Sequence, residues 1–253
     1  MAAILSHLLP GGEAGLAGFG GGLTRPDRLD SGMWDLHRAD LLGVPGVWRT
    51  DPGLRLLAPG NAEDARHVPV LADATGLDRV ERMVVTIDYS PFPLALVFHP
   101  GRALPLLGFG VKYEIAGPIR ASALTGGEWI MGGAFVDAMG GGCSAPAVTH
   151  ARPDWQDGFG EMRARLWPET GRLRVGIRHP MDTGLADGVP AHHLTDLTLT
   201  DAAGAEIARL EIHEPLEENP VLTFLLPPDL ARGPVGITAR DTSGFRFSGR
   251  VAA

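Results

Sequence analysis

The chain has 253 residues, a formal net charge of −8 at pH 7 and a single cysteine. The acidic balance argues against nucleic acid as a partner, because such binding requires a basic surface. A single cysteine excludes a disulfide within the chain. No apolar run reaches the roughly 18 residues that a membrane-spanning helix needs, so the sequence predicts no membrane span.

The chain begins with a glycine-rich segment and one helix. Residues 1–29 show no lasting periodicity, and we expect a flexible N-terminal extension there. The sequence DSGMWDLHRADLL, residues 30–42, predicts a short helix that is capped by Asp30 or Ser31 and ended by Gly43. Its buried face at helical spacing consists of Trp34, His37 and Leu41.

After the helix, the pattern changes to short strands that are separated by Gly, Pro and Asp. The predicted strands of the first half are residues 54–59, 67–74, 79–90, 94–99, 109–116 and 128–138. In the run 109–116, Val111, Tyr113 and Ile115 alternate with Lys112 and Glu114, which predicts one buried face. A spacing of about 10–15 residues between runs is typical of an antiparallel β-sandwich.

The second half also consists of strand patterns. A polar, turn-rich segment, residues 140–160, carries the cysteine and predicts a linker. The predicted strands that follow are residues 161–167, 172–179, 194–200, 206–213, 221–226, 235–241 and 245–251. The turns PETG, DAAG and TSG predict three hairpins. The sequence therefore predicts an all-β protein with two sandwich domains, residues 30–139 with the helix and residues 161–253.

The stretch MGGGCSAPA, residues 139–147, holds the single cysteine, Cys143. Small or conformationally permissive residues surround it: Gly140, Gly141, Gly142, Ser144, Ala145 and Pro146. Such an arm would expose the thiol, and a flexible mount suits a carrier, whereas a nucleophile needs a rigid one. The alternative from the residues alone is a small apolar side chain in a loop.

The sequence contains none of the familiar catalytic patterns, such as G-x-S-x-G, H-E-x-x-H or C-x-x-C. His192 and His193 are adjacent, so on a strand they would point to opposite faces, and we predict no metal site. Glu217 and Glu218 precede Asn-Pro and are typical of a solvated turn. A hydrolase that uses Cys143 would need a histidine beside the sulfur, and His150 is the nearest in sequence.

Several of these stretches together resemble a known family. GGGCSAPA is similar to the sulfur-carrier motif of SoxY, a subunit of bacterial thiosulfate oxidation. Downstream, IRHPMDTGL, VPAHHL, ENPVLTF and DTSGF resemble the partner subunit SoxZ, and the likeness covers about residues 30–253. The fused order resembles the SoxYZ-like carriers that are associated with quinoprotein dehydrogenases. Where the stand-alone SoxY arm ends in Gly-Gly, this chain has Ser144 and Ala145 and continues into a second domain.

The resemblance implies a fold and a function. It implies two immunoglobulin-like β-sandwiches and a periplasmic carrier, not an enzyme, although the sequence shows no clear signal peptide. Cys143 would hold a covalent sulfur adduct, an S-thiosulfonate or persulfide, and no cofactor would be tightly bound. The implied partners are a cytochrome c pair and a thiosulfohydrolase, or a PQQ dehydrogenase.

The resemblance also leaves two questions open. One segment recurs as a unit, and we expect it to form a turn or to dock a partner: His179, Pro180, Met181, Asp182, Thr183 and Gly184. The alternative function is a non-covalent accessory of a PQQ dehydrogenase, in which the cysteine is dispensable. The two functions differ at Cys143, because a carrier predicts a readily alkylated thiol.

Overall fold

The computed structural model describes residues 29–43, 48–151 and 155–252. These residues form one α-helix, a short 3₁₀ turn (Val148–Ala151) and sixteen strands in two sheets, which confirms the predicted all-β class. The predicted N-terminal extension lies outside the described residues, apart from Leu29. Within the described part of the chain, no helix is both long enough and apolar enough to cross a bilayer.

The first half holds helix α1 and nine strands. They are α1 (Trp34–Leu42), β1 (Trp48–Arg49), β2 (Arg55–Leu57), β3 (Asn61–Ala62), β4 (Val68–Asp73), β5 (Val80–Ile87), β6 (Leu94–His99), β7 (Leu104–Val111), β8 (Gly117–Thr125) and β9 (Glu128–Ala138). The predicted strands 94–99 and 128–138 are confirmed at both ends.

The second half holds seven strands. They are β10 (Met162–Trp167), β11 (Arg172–Ile177), β12 (Leu194–Thr200), β13 (Glu206–Ile212), β14 (Val221–Leu225), β15 (Val235–Asp241) and β16 (Arg246–Val251). All three predicted hairpins are confirmed, because β10 pairs with β11, β12 with β13 and β15 with β16 in antiparallel register.

Both sheets continue from the first half into the second. The larger sheet crosses where β6 pairs with β13, with Leu210 opposite Phe98, and the smaller sheet crosses where β7 pairs with β14. The rings of Phe98 and Phe224 lie 5.9 Å apart between the two layers. Edge pairing satisfies the free backbone groups of four strands at once. The halves therefore form one continuous two-layered sandwich, a join that the sequence pattern does not predict.

The predicted strand over residues 109–116 is confirmed for residues 109–111 and wrong for residues 112–116. β7 ends at Val111; Lys112 and Tyr113 are both buried, and Ile115 is 54% exposed. The next strand, β8, was missed because it is buried on both faces and contains Arg120. That guanidinium donates to the Asp88 carboxylate at 2.6–2.9 Å, which compensates for the burial of both charges.

Helix α1 differs from its prediction at the N-terminus. Neither Asp30 nor Ser31 caps it, because Met33 occupies the N-cap position without a side-chain hydrogen bond. Trp34 and His37 are buried as predicted, but Leu42 is buried in place of Leu41. The helix ends at Gly43, whose φ of 71° is the left-handed conformation that glycine adopts at low cost. The helix packs against the outer face of the larger sheet.

The continuous sheets predict that the two halves unfold together. Leu210 is fully buried at the join, and Leu210→Ala should lower the free energy of unfolding by about 2–5 kcal/mol, because it opens a cavity there. In urea, we expect one transition with a lower midpoint by both circular dichroism and tryptophan fluorescence. Leu57→Ala, at a half-exposed position, is the control. Two separate transitions, of which only one shifts, would contradict this prediction.

Candidate functional site

Cys143 lies in a turn that follows β9, and its side chain is 0% exposed. Its Sγ contacts the backbone oxygen of Lys112 at 3.7 Å. The sequence prediction of an exposed thiol is therefore wrong for the protein in this conformation. The arm, residues 140–146, is folded against the domain.

The glycines of the arm allow its backbone to pack closely against the backbone of the first domain. Gly140 and Gly141 have φ values of 87° and 76°, which other residues rarely adopt. The N–H of Gly142 donates to the oxygen of Tyr113 at 2.8 Å, and a Cβ at Gly142 would lie 2.7 Å from the same oxygen. Sequence reasoning took these glycines as a sign of flexibility, whereas here they allow tight docking.

Glu114 holds the centre of the arm. Its carboxylate accepts the N–H of Cys143 at 3.1 Å, the N–H of Ser144 at 3.0 Å and the hydroxyl of Ser144 at 2.9 Å. Hydrogen bonds to an ionised acceptor are stronger than neutral ones. The sequence pattern places Glu114 on the polar face of a strand that in the structure ends at Val111, so it does not predict this role.

The second half contacts the same arm through its HPMDTG segment, residues 179–184. The hydroxyl of Thr183 donates to the oxygen of Cys143 at 2.6 Å. The Asp182 carboxylate accepts the N–H of Ala147 at 3.3 Å and lies 2.6 Å from Nε2 of His150. Residues 179–184, which the sequence predicts to form a turn or to dock a partner, thus lie against the cysteine.

Two buried charged residues, Glu218 and Lys112, make further hydrogen bonds around the arm. Glu218 accepts the N–H groups of Val148 and Thr149 at 2.7 and 2.8 Å and also the Thr149 hydroxyl. The Nζ of Lys112 donates to the oxygen of Met181. The expectation of a solvated turn at Glu217 and Glu218 is wrong for Glu218, because its side chain is buried against the chain that leaves the arm.

The surroundings make the resting thiol unreactive. Burial raises the pKa of Cys143 to about 11; the nearby Lys112 opposes this rise, and Glu114 adds to it. Burial lowers the pKa of Lys112 to about 8. Since the thiolate is the reactive form of cysteine, the docked thiol is protonated and inert at neutral pH.

The geometry does not support a cysteine hydrolase. His150, the histidine nearest in sequence, bonds Asp182 and packs edge-on against Trp155 at 4.7 Å. Among residues 29–43, 48–151 and 155–252, no histidine nitrogen forms a hydrogen bond with Sγ of Cys143. The base that such a mechanism requires is missing from this conformation.

A histidine–aspartate cluster lies behind the HPMDTG segment. Nε2 of His192 is 3.0 Å from Oδ2 of Asp241, and Nε2 of His179 is 3.5 Å from the same oxygen. His193 points elsewhere, toward Glu214 at 3.5 Å. Phe159 covers the cluster, with its ring centroid 5.3 Å from that of His179. His179, His192 and Asp241 are close enough together to be considered as metal ligands.

The protonation of His179 argues against a metal at this cluster. Its Nδ1 accepts the N–H of Met181 at 3.1 Å, so the proton of the neutral ring is on Nε2. A ligand nitrogen needs a lone pair, and a metal-bound histidine normally donates from its other nitrogen. Burial lowers the pKa of His179 to about 3, which keeps the ring neutral. The cluster therefore shapes the turn that carries Asp182 and Thr183.

Two family models match the chain. The model described as sulfur oxidation protein SoxY matches residues 38–143, and the model described as sulphur oxidation protein SoxZ matches residues 162–252. The chain is a fused SoxYZ-type carrier. Among solved structures, the sulfur carrier protein SoxY from Chlorobium limicola f thiosulfatophilum is similar over 44% of this chain and 99% of its own, at 15% identity and a TM-score of 0.35. No curated protein matches the chain in sequence.

The contacts that hold the arm join the SoxY match to the SoxZ match. The SoxY match ends at Cys143, and the residues that tie the arm from the far side, Thr183 and Asp182, lie within the SoxZ match. In this fused SoxYZ-type chain, the cysteine is thus held at the junction of the two domains. The candidate site is shared between them.

Removing the Glu114 carboxylate should release the arm. Glu114→Ala deletes the acceptor of three hydrogen bonds, and charge-assisted bonds contribute about 1.5–3 kcal/mol each. We expect iodoacetamide to alkylate Cys143 at least about 10-fold faster at pH 7.5 than in the wild type. Glu169→Ala, at an exposed turn, should leave the rate unchanged. An unchanged rate in Glu114→Ala would contradict the assigned role of Glu114.

His179 should make the protein sensitive to acid. Its folded pKa is lowered, so the unfolded chain binds one more proton below about pH 6.5, and stability is lost as the pH falls toward 3. The loss approaches about 1.4 kcal/mol per pH unit. His179→Asn offers an oxygen to the Met181 N–H and should show a shallower loss in urea midpoints between pH 6.5 and 4.5. Parallel curves for the two proteins would count against the lowered pKa.

Proposed function

We propose that this protein holds a sulfur compound covalently on Cys143 and presents it to enzymes of sulfur oxidation in the periplasm. The observation that carries the proposal is the extent of the SoxY match, which ends at the one cysteine of the chain. The SoxZ match that follows supplies the second domain of the carrier.

In this proposal the docked conformation is a resting state. Sγ is fully covered, so the arm must leave its position before any enzyme reaches the thiol. Most of the contacts that hold the arm are hydrogen bonds, whose net contributions are about 0.5–1.5 kcal/mol each, and more for the bonds to Glu114. Water replaces such bonds when the arm leaves. A small released population therefore exchanges with the docked one.

The proposed loading step oxidises the released thiolate. Cys143 thiolate and thiosulfate form one S–S bond and lose two electrons, which a c-type cytochrome pair accepts, and the product is an S-thiosulfonate. A thiosulfohydrolase then adds water to the terminal sulfonate sulfur. That step releases sulfate and two protons and leaves a persulfide anion on Cys143. The chain itself contributes the sulfur atom and no catalytic group.

The burial of Cys143 also favours a second function. A thiol that is covered at rest is what a non-covalent accessory of a PQQ dehydrogenase would show, in which the cysteine fills space at the domain junction. The two functions make opposite predictions for Cys143→Ser. That substitution abolishes a covalent carrier, whereas an accessory tolerates it.

Mass spectrometry of the intact protein tests the proposal directly. After isolation from cells grown on thiosulfate, the wild type should carry a mass increase that a thiol reductant removes, and Cys143→Ser should carry none. Met139→Ala, at a neighbour that is 90% exposed, is the matched control and should retain the adduct. A different result would establish the accessory function instead: the wild type carries no reducible adduct, and Cys143→Ser supports the activity of the PQQ dehydrogenase as fully as the wild type does.

A further inference from the structure

The hairpin of β10 and β11 presents a row of arginines to solvent. Arg165 lies directly opposite Arg174, Arg172 lies opposite Trp167, and Arg163 follows along β10. All four arginines are exposed and share the outer face of the smaller sheet. We name this surface the arginine face: Arg163, Arg165, Arg172, Arg174 and Trp167.

Most of these charges lack an acidic partner. Arg163 pairs with Glu161 at 3.0 Å. Within the described part of the chain, Arg165, Arg172 and Arg174 have no carboxylate within ion-pair distance, although the charge of Arg174 acts on the Glu217 carboxyl from farther away. The protein as a whole has 30 acidic and 22 basic residues, so this face is a local concentration of positive charge on an acidic chain. Like charges directly opposite each other on neighbouring strands destabilise a sheet, so the arrangement has a stability cost.

Trp167 is held in place within this face. The guanidinium of Arg165 stacks over its ring at 4.7 Å from the centroid, and that of Arg172 stacks at 4.1 Å. The stacking fixes two arginine side chains in advance of any contact. Arginine and tryptophan, together with tyrosine, are enriched among the residues that contribute most of the binding energy in protein–protein interfaces.

The arginine face adjoins the chain that leaves the arm. An open cleft of about 460 Å³ lies at its end, and its lining includes Arg163, Arg178, Val148 and Thr149 together with the acidic Glu161 and Glu218. Thr149 donates to Glu218, which also holds the segment after Cys143. A partner that covers the face therefore reaches the chain through which the arm is tethered.

We propose that the arginine face docks an acidic surface of a partner protein. The face spans two strands about 4.8 Å apart, with same-face residues about 7 Å apart along each strand, which suits a few carboxylates of a protein surface. Binding to duplex DNA commonly uses six to ten phosphate contacts, more than this face offers. The net charge of −8 opposes every anionic partner at longer range, and it opposes densely charged DNA and anionic membranes more strongly than a protein with a small acidic patch. The docking needs no sulfur chemistry, so it can fail or hold independently of the proposed function.

Arg174→Glu reverses one charge and is expected to fold. It places a carboxylate opposite Arg165 and removes that repulsion, but it also brings a like charge toward Glu217, so the urea midpoint of each variant is measured and binding is compared between folded proteins. Arg232→Glu changes the net charge equally at an exposed site outside the face and is the control. Both variants are made in the full chain, and Cys143→Ser is made as a third, separate variant.

The probe is a fluorescently labelled poly-L-glutamate of about 50 residues, followed by anisotropy in 20 mM salt. Arg174→Glu should weaken its association at least 5-fold, Arg232→Glu less than 2-fold, and Cys143→Ser should bind like the wild type. Equal losses in the two charge variants would overturn the proposal, because net charge alone would then explain the binding. Tighter binding of duplex DNA or of vesicles with 30% anionic lipid, lost in Arg174→Glu, would overturn the assignment to a protein partner.

Discussion

The pairing of edge strands between the two halves is the constraint on which the candidate site depends. Because β6 pairs with β13 and β7 with β14, the sheets fix the second domain at one position relative to the first. That position brings Thr183 to the backbone of Cys143 and Met181 to the ammonium of Lys112. A looser interface could not hold single hydrogen bonds of this kind in register. The docking of the arm is thus a consequence of how the sandwich is closed.

The arm itself shows why a glycine-rich stretch supports two opposite interpretations. Glycine increases the freedom of a released chain, and it also permits backbones to approach where any Cβ would collide. Gly142 shows the second use, since its N–H reaches the oxygen of Tyr113. Both uses suit a segment that exchanges between a docked and a released state. Because this arm continues into a second domain, it is tethered at both ends, so its release gains less chain entropy than freeing a chain terminus would, and its reach is correspondingly shorter.

Much of the fold followed from local patterns, and much of the site did not. Alternation and turn residues placed most strands to within two residues, because a strand's period and its ending are local properties. β8 escaped because Arg120 looks like a surface residue until Asp88 is known to face it. The burial of Cys143 depends on Glu114 and Thr183, which lie 29 and 40 residues away on separate segments. No pattern around MGGGCSAPA carries that information, whereas the family resemblance of the same stretch was correct.

Docking and reactivity are linked through the pKa of the thiol. In the docked arm, burial raises the pKa of Cys143 to about 11, whereas the ordinary value is 9.0. Release into water restores the ordinary value, so at neutral pH the thiolate fraction rises about 100-fold. The same movement that exposes the sulfur therefore activates it. In the docked conformation, oxidants that react with thiolates meet an inert, covered thiol. A partner that favours the released arm gains accessibility and nucleophilicity in a single step, and needs no base from the carrier.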